Sequence, residues 1–225
     1  MEISEDPEFC SMIDRLRDEI ENDSGEVPAA FTELTELAAL TALATLAGCE
    51  DRAGGEDRAE ELHRVLTALG QPLWAREIAA YSLGVAGDPR AFEALVLLLN
   101  HRDPERCVTA AHALTRLGDP RTARAAAALA TNELRVAYAL VPVRLLAELR
   151  APESVPALIT VLGRRLRADD PHWRVGLACV EGLGALGDPR ARAVLREALP
   201  HPRLGAEAGR SLHRLDSPPD PEGTP

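Results

Sequence analysis

The sequence predicts an all-α protein built as a linear array of helix pairs, and three observations carry that reading. A pentapeptide returns: Gly87-Asp88-Pro89-Arg90-Ala91 recurs as Gly118-Asp119-Pro120-Arg121-Thr122 and as Gly187-Asp188-Pro189-Arg190-Ala191. A fourth copy, Arg150-Ala151-Pro152-Glu153-Ser154, keeps only the proline, and successive copies begin 31, 32 and 37 residues apart. Self-similarity at a period of roughly 20–50 residues marks a solenoid. The composition agrees. Hydrophobic residues make 46% of the chain but aromatics only 3%, and an Ala/Leu-rich interior suits tightly packed helices. Finally, a leucine stands four residues before each copy, at Leu83, Leu114, Leu146 and Leu183. Slim residues lie one turn further back, at Ala79-Ala80, Ala110-Ala111 and Cys179-Val180. That spacing makes one helix face a neighbour can approach closely.

Residues 1–30 read as an acidic, mobile arm holding one short helix. Phe9, Met12, Ile13, Leu16 and Ile20 repeat at the spacing of one apolar face, Pro7 suits a helix start and Asn22-Asp23-Ser24-Gly25 suits its end. Capping the end of the array is the role expected of it. Residues 31–215 form the repeat domain. It opens with a degenerate pair: an Ala/Leu/Thr helix over 31–47, a loop over Gly48–Gly55, and a helix over Glu56–Leu69 with Leu62, Val65, Leu66 and Leu69 on one face. Regular pairs follow from Pro72.

The pentapeptide explains the joint within each pair. Glycine ends the first helix where a left-handed residue is needed. Aspartate caps the second helix, and proline occupies its first position, where a missing N–H is no loss. The arginine that follows is expected to bridge to the aspartate of an adjacent repeat, as a ladder at Arg90, Arg121 and Arg190. Asp103-Pro104 and Asp170-Pro171 read as cap and first turn of first helices. Pro142 should kink or split the first helix of the degenerate copy. Residues 216–225, with Ser217-Pro218-Pro219-Asp220-Pro221, read as a disordered acidic, proline-rich tail.

The net charge is −11 over 225 residues. Residues 1–30 hold ten acids against two arginines, whereas residues 102–215 hold 18 arginines against 12 acids. All 25 basic residues are Arg, as a GC-rich genome would produce, and the absence of Lys rules out Schiff-base chemistry and a P-loop lysine. Cys10, Cys49, Cys107 and Cys179 form no CxxC, and Cys107 and Cys179 fall within apolar helical patterns, as buried thiols do. The acidic start has no signal-like apolar region and no stretch is long and apolar enough to span a membrane. A cytoplasmic protein is the expectation.

At Arg76-x-x-Ala79-Ala80-x-x-Leu83-Gly84-x-x-Gly87-Asp88-Pro89-Arg90-Ala91 the chain resembles a bacterial HEAT-like repeat of the phycobilin-lyase type. The resemblance covers residues 72–215, and 31–71 more faintly. It implies a right-handed α-solenoid of about five helix pairs, whose second helices line a concave side, and a family that serves mostly as protein-binding scaffolds. Departures are Cys107 and Gly176 where the first copy has Arg76, and Pro142 in the degenerate copy. A pocket beside Pro142 would favour the alternative function, an accessory factor or lyase acting on a small molecule or protein-bound chromophore.

No His-Glu pair and no H-E-x-x-H occur among His63, His101, His112, His172, His201 and His213, so no metal or cofactor is assigned, no catalytic residue is named, and the question of enzymatic activity stays open with a non-catalytic role favoured. A nucleic-acid reading would use Trp74, Trp173, Asp169 and Asp170 with nearby arginines, but the net charge argues against it. The expected function is capture of a protein or peptide partner on the second-helix face, through Phe92, Val96, Arg124, Arg192 and Arg196 beside an open Arg164–Arg165 patch.

Overall fold

The computed structural model describes residues 6–46 and 52–216. The described residues are helical with no strand, as the composition requires. The chain divides into two compact units, residues 1–122 and 123–225.

Unit 1 holds α1 (Pro7–Ser24), α2 (Ala29–Leu46), α3 (Arg52–Thr67), α4 (Leu73–Val85), α5 (Phe92–Leu99) and α6 (Pro104–Leu117). First helices stack, α2 on α4 and α4 on α6, and α3 and α5 pack against them. Helix α1 starts where Asp6 caps it, accepting hydrogen bonds from the N–H groups of Glu8 and Phe9, and ends at Gly25 with φ of 76°. Its stripe of Phe9, Met12, Ile13, Leu16 and Ile20 is buried. The helix is therefore a docked element rather than a loose arm. It lies across the first helices α4 and α6, along the side of the stack.

The loop expected over Gly48–Gly55 does not extend through its last residues, which are helical from Arg52. Both Gly54 and Gly55 lie inside α3, where packing against α2 and α4 outweighs the ~1 kcal/mol that glycine costs in a helix. Cys49 falls outside the described residues, as do the tail residues 217–225.

Unit 2 holds α7 (Thr122–Thr131), a 3₁₀ segment (Glu133–Tyr138), α8 (Leu140–Leu149), α9 (Ser154–Gly163), α10 (Trp173–Leu186), α11 (Arg192–Ala198) and α12 (Gly205–Asp216). Here α10 packs against both α8 and α12, with α9 and α11 alongside. Pro142 does not kink a helix. It sits in the first turn of α8, where the N–H it lacks would have had no partner, and the chain breaks earlier, at Arg135 (φ −126°, ψ 19°). Helix α10 begins two residues after Pro171, although the Asp170 carboxylate accepts the His172 N–H at 2.7 Å, as the joint aspartates do, and meets Arg165 at 3.2 Å.

The repeated joint is built as its residues dictate. Gly87, Gly118 and Gly187 have φ of 79°, 65° and 71°, and Asp88, Asp119 and Asp188 each accept the N–H two residues on at 2.8–2.9 Å. The arginines do not form the expected ladder. Arg90, Arg121 and Arg190 fold back onto the aspartate of their own joint, since a guanidinium two residues away meets that carboxylate in bidentate fashion at little entropic cost. These hydrogen bonds from Arg121 and Arg190 hold the Asp119 and Asp188 carboxyls below the usual carboxylate range. Two arginines also reach the preceding second helix: Arg90 meets Glu60 at 2.8 Å and Arg121 meets Glu93 at 3.7 Å. The four joint leucines are fully buried.

The degenerate copy keeps the geometry with other chemistry. Arg150 occupies the glycine position with φ of 51°, the one non-glycine residue with positive φ among the described residues. Ala151 stands at the aspartate position and cannot cap; instead Ser154, three residues on, ties the joint, its hydroxyl donating to the Leu146 carbonyl and accepting the Ala151 N–H. A side chain in the left-handed region costs roughly 1–2 kcal/mol, so Arg150→Gly should stabilise the protein by about 1 kcal/mol, read as a higher urea midpoint with an unchanged m-value.

Candidate functional site

The second-helix face of unit 1 carries an open apolar trough between α3 and α5. It has a volume of about 430 Å³ and a lining that includes Leu66, Leu73, Ala94, Leu97 and Leu98, with Arg76, Arg90 and Glu93 at its rim. The trough exists because the apolar stripe of α3 is only half covered. Leu62 is buried, but α3 stops at Thr67 and leaves Leu69 99% exposed. On the facing side Leu97 is 72% exposed and Leu73 44%. A second trough of about 370 Å³ lies among α2, α3 and α4, with Glu33 and Glu61 in its lining beside Leu34, Val65 and Trp74. Its acids make it the more polar of the two.

The residues expected to contact a partner are scattered differently from the expectation. Phe92 is buried, not exposed, with the Arg121 guanidinium 3.9 Å above its ring. Val96 is half-buried, and Arg124 and Arg196 are exposed. Arg192 binds the Asp216 carboxylate and the Leu215 carbonyl at the end of α12. The patch at Arg164 and Arg165 is not bare. Arg165 is buried, paired with Glu133 at 2.6 Å and Asp170 at 3.2 Å, and Arg164 binds Glu133 and the Thr131 carbonyl at 3.0 Å. Buried guanidinium is retained only with such partners. Sequence reasoning passed over Leu73, at the start of α4, and Leu97, whose one visible signal is that α5 is leucine on nearly every side.

A buried polar cluster pins α1 to the stack. Glu77 on α4, 1% exposed, accepts hydrogen bonds from Arg15 on α1 and from Arg106 on α6, the latter at 2.8 Å. Arg106 continues to Glu19 on α1 and to Asp103. Nearer the start of α1, Asp6 accepts the Tyr81 hydroxyl at 3.1 Å, and His112 stacks on the Tyr81 ring with its Nε2 3.5 Å from the same carboxylate. Burial first, then the Asp6 charge, push the Tyr81 phenol far above its ordinary range. Tyr81 is thus a fixed donor, and the group acts as a fastening.

Among the described residues no three His, Cys, Asp or Glu side chains group to hold a metal ion, and no helix is long and apolar enough to cross a membrane. Cys107 and Cys179 are buried and Cys10 is exposed; burial pushes the Cys179 thiol well above its usual range. Pro142 is buried in α8 and lines neither trough. The family described as HEAT repeats matches residues 136–212, and that described as PBS lyase HEAT-like repeat matches residues 75–101. The first of these spans the degenerate joint at Arg150. No curated protein matches the chain.

Proposed function

Since the chain is a HEAT-like repeat protein, we propose that it works as a scaffold, with no turnover, that seats the apolar side of a partner's amphipathic helix in the trough between α3 and α5. The observation that supports this is an apolar channel of about 430 Å³ flanked by two helices and bearing exposed Leu73 and Leu97. Two helix ridges with a gap between them form the shape a third helix fills. A preformed channel also spares the receptor the cost of ordering itself on binding. Helix α1, fastened across α4 and α6, serves as a lateral brace that leaves the second-helix face uncovered, and α5, of eight residues, limits the contact to about two turns of a partner helix.

A photo-crosslinking residue at position 97 tests the reading in the intact cell of origin. The expected result is one discrete adduct whose crosslinked peptide maps to an amphipathic helix, lost when Leu73→Asp is added. Smeared or absent adducts, or the same adduct from exposed Glu21 on α1, would overturn it.

A further inference from the structure

Unit 2 holds a cluster of a different kind, at the loops that follow α9 and α11. The two loops are tied together by His201. Its Nδ1 accepts the N–H groups of Arg203 and Leu204, both at 3.2 Å, and its Nε2 lies 3.1 Å from the Arg167 carbonyl. With Nδ1 accepting, the ring is the neutral tautomer that donates from Nε2. This bracket brings Arg203 to the start of α10. The guanidiniums of Arg174 and Arg203 each lie 5.0 Å from the centre of the Trp173 ring.

What distinguishes these two arginines is that their neighbours are neutralised and they are not. In the α9–α10 loop Arg164 and Arg165 are held by Glu133, Arg165 also by Asp170, and Arg167 by Asp169. Arg174 and Arg203 are exposed and meet no carboxylate among the described residues. Stacking on an indole fixes the plane of a guanidinium and uses its face, leaving the N–H edge donors for an oxyanion. Two such groups on one ring lose little side-chain freedom when they bind.

We propose that Arg174 and Arg203, racked on Trp173, form a binding site for the oxyanions of an acidic peptide segment, carboxylate or phosphoserine. A nucleic acid fits less well. Both guanidiniums lie over the ring on which a base would have to stack. The site is independent of the trough on unit 1.

The full chain carrying Trp74→Phe leaves Trp173 as its one tryptophan, so its emission reports on the site. The probes are a glutamate-rich peptide, the same peptide with phosphoserine in place of the glutamates, and a single-stranded oligonucleotide. A saturable change with either peptide is expected, and the tighter of the two identifies the oxyanion. Arg174→Gln with Arg203→Gln should weaken that binding at least tenfold, while Leu97→Asp leaves it unchanged. Calorimetric titration of the chain with both tryptophans intact should return the same affinity. Absence of saturation with both peptides, unchanged affinity in the double variant, or tighter binding of the oligonucleotide would overturn the proposal.

Discussion

Replacing Glu77 with alanine will destabilise the protein by about 3–5 kcal/mol, the cost of breaking a buried ion pair by removing one partner. At roughly 2–4 °C per kcal/mol for a chain of this size, the thermal midpoint should fall by about 10 °C. The reason lies in what remains. Arg15 and Arg106, with side chains 11% and 10% exposed, both direct a guanidinium at the 1%-exposed Glu77. Without it, two positive groups face each other out of water, with Glu19 as their shared counter-charge. The strain falls first on α1, whose amides should exchange faster than those of α4. Glu105→Ala is the control: Glu105 is 74% exposed and meets Arg15 only at 3.7 Å, so its loss should be nearly neutral. A midpoint shift for Glu77→Ala no larger than that of the control would show that the cluster is inert.

Leu183→Ala should cost roughly 2–5 kcal/mol, the range for a fully buried leucine whose site cannot collapse. Collapse is hindered here because Leu183 sits on α10 between the close approaches of two neighbours. One residue before it, a Cβ on Gly182 would lie 2.9 Å from that of Ala147 on α8. One residue after it, a Cβ on Gly184 would lie 2.7 Å from both Ser211 Cβ and an Arg214 nitrogen of α12. Helices already in such contact have no room to move inward. Leu97→Ala, by contrast, removes a side chain 72% exposed and should change stability by under about 0.5 kcal/mol. Urea denaturation of the two variants settles the comparison, and similar midpoints for both would contradict the assignment of Leu183 to the frame and Leu97 to a surface.

Most of the frame was legible because it depends on neighbours in sequence. The stripe Phe9, Met12, Ile13, Leu16, Ile20 and the glycine, aspartate and proline of each joint act through contacts a few residues away, and each performs the part its chemistry suggests. Legibility failed where charge was involved. Glu77, Arg15 and Arg106 stand 29 to 91 positions apart, and each in isolation reads as solvated surface; only the packing of α1 on α4 and α6 makes them a buried set. The same failure made Arg164 and Arg165 look like a free basic patch, since Glu133, their counter-charge, lies 31 and 32 residues away. The trough went unread for a related reason. Leu73 and Leu97 have the identity of core residues, and their exposure follows from the gap between α3 and α5, a distance that no pattern along one helix encodes.

The joint has a bearing on how the chain acquires its structure. The interactions that close it, the left-handed glycine, the aspartate cap, the arginine clip and the bond from the Asp88 N–H to the Leu83 carbonyl, lie within the short run from Leu83 to Arg90. Closing so short a loop costs little chain entropy, and topologies dominated by local contacts fold fast. Each Gly-Asp-Pro-Arg can therefore turn the chain back on itself as soon as it leaves the ribosome, before the next repeat has been made. The helix it starts then waits only for the adjoining pair, so the order of synthesis becomes the order of assembly.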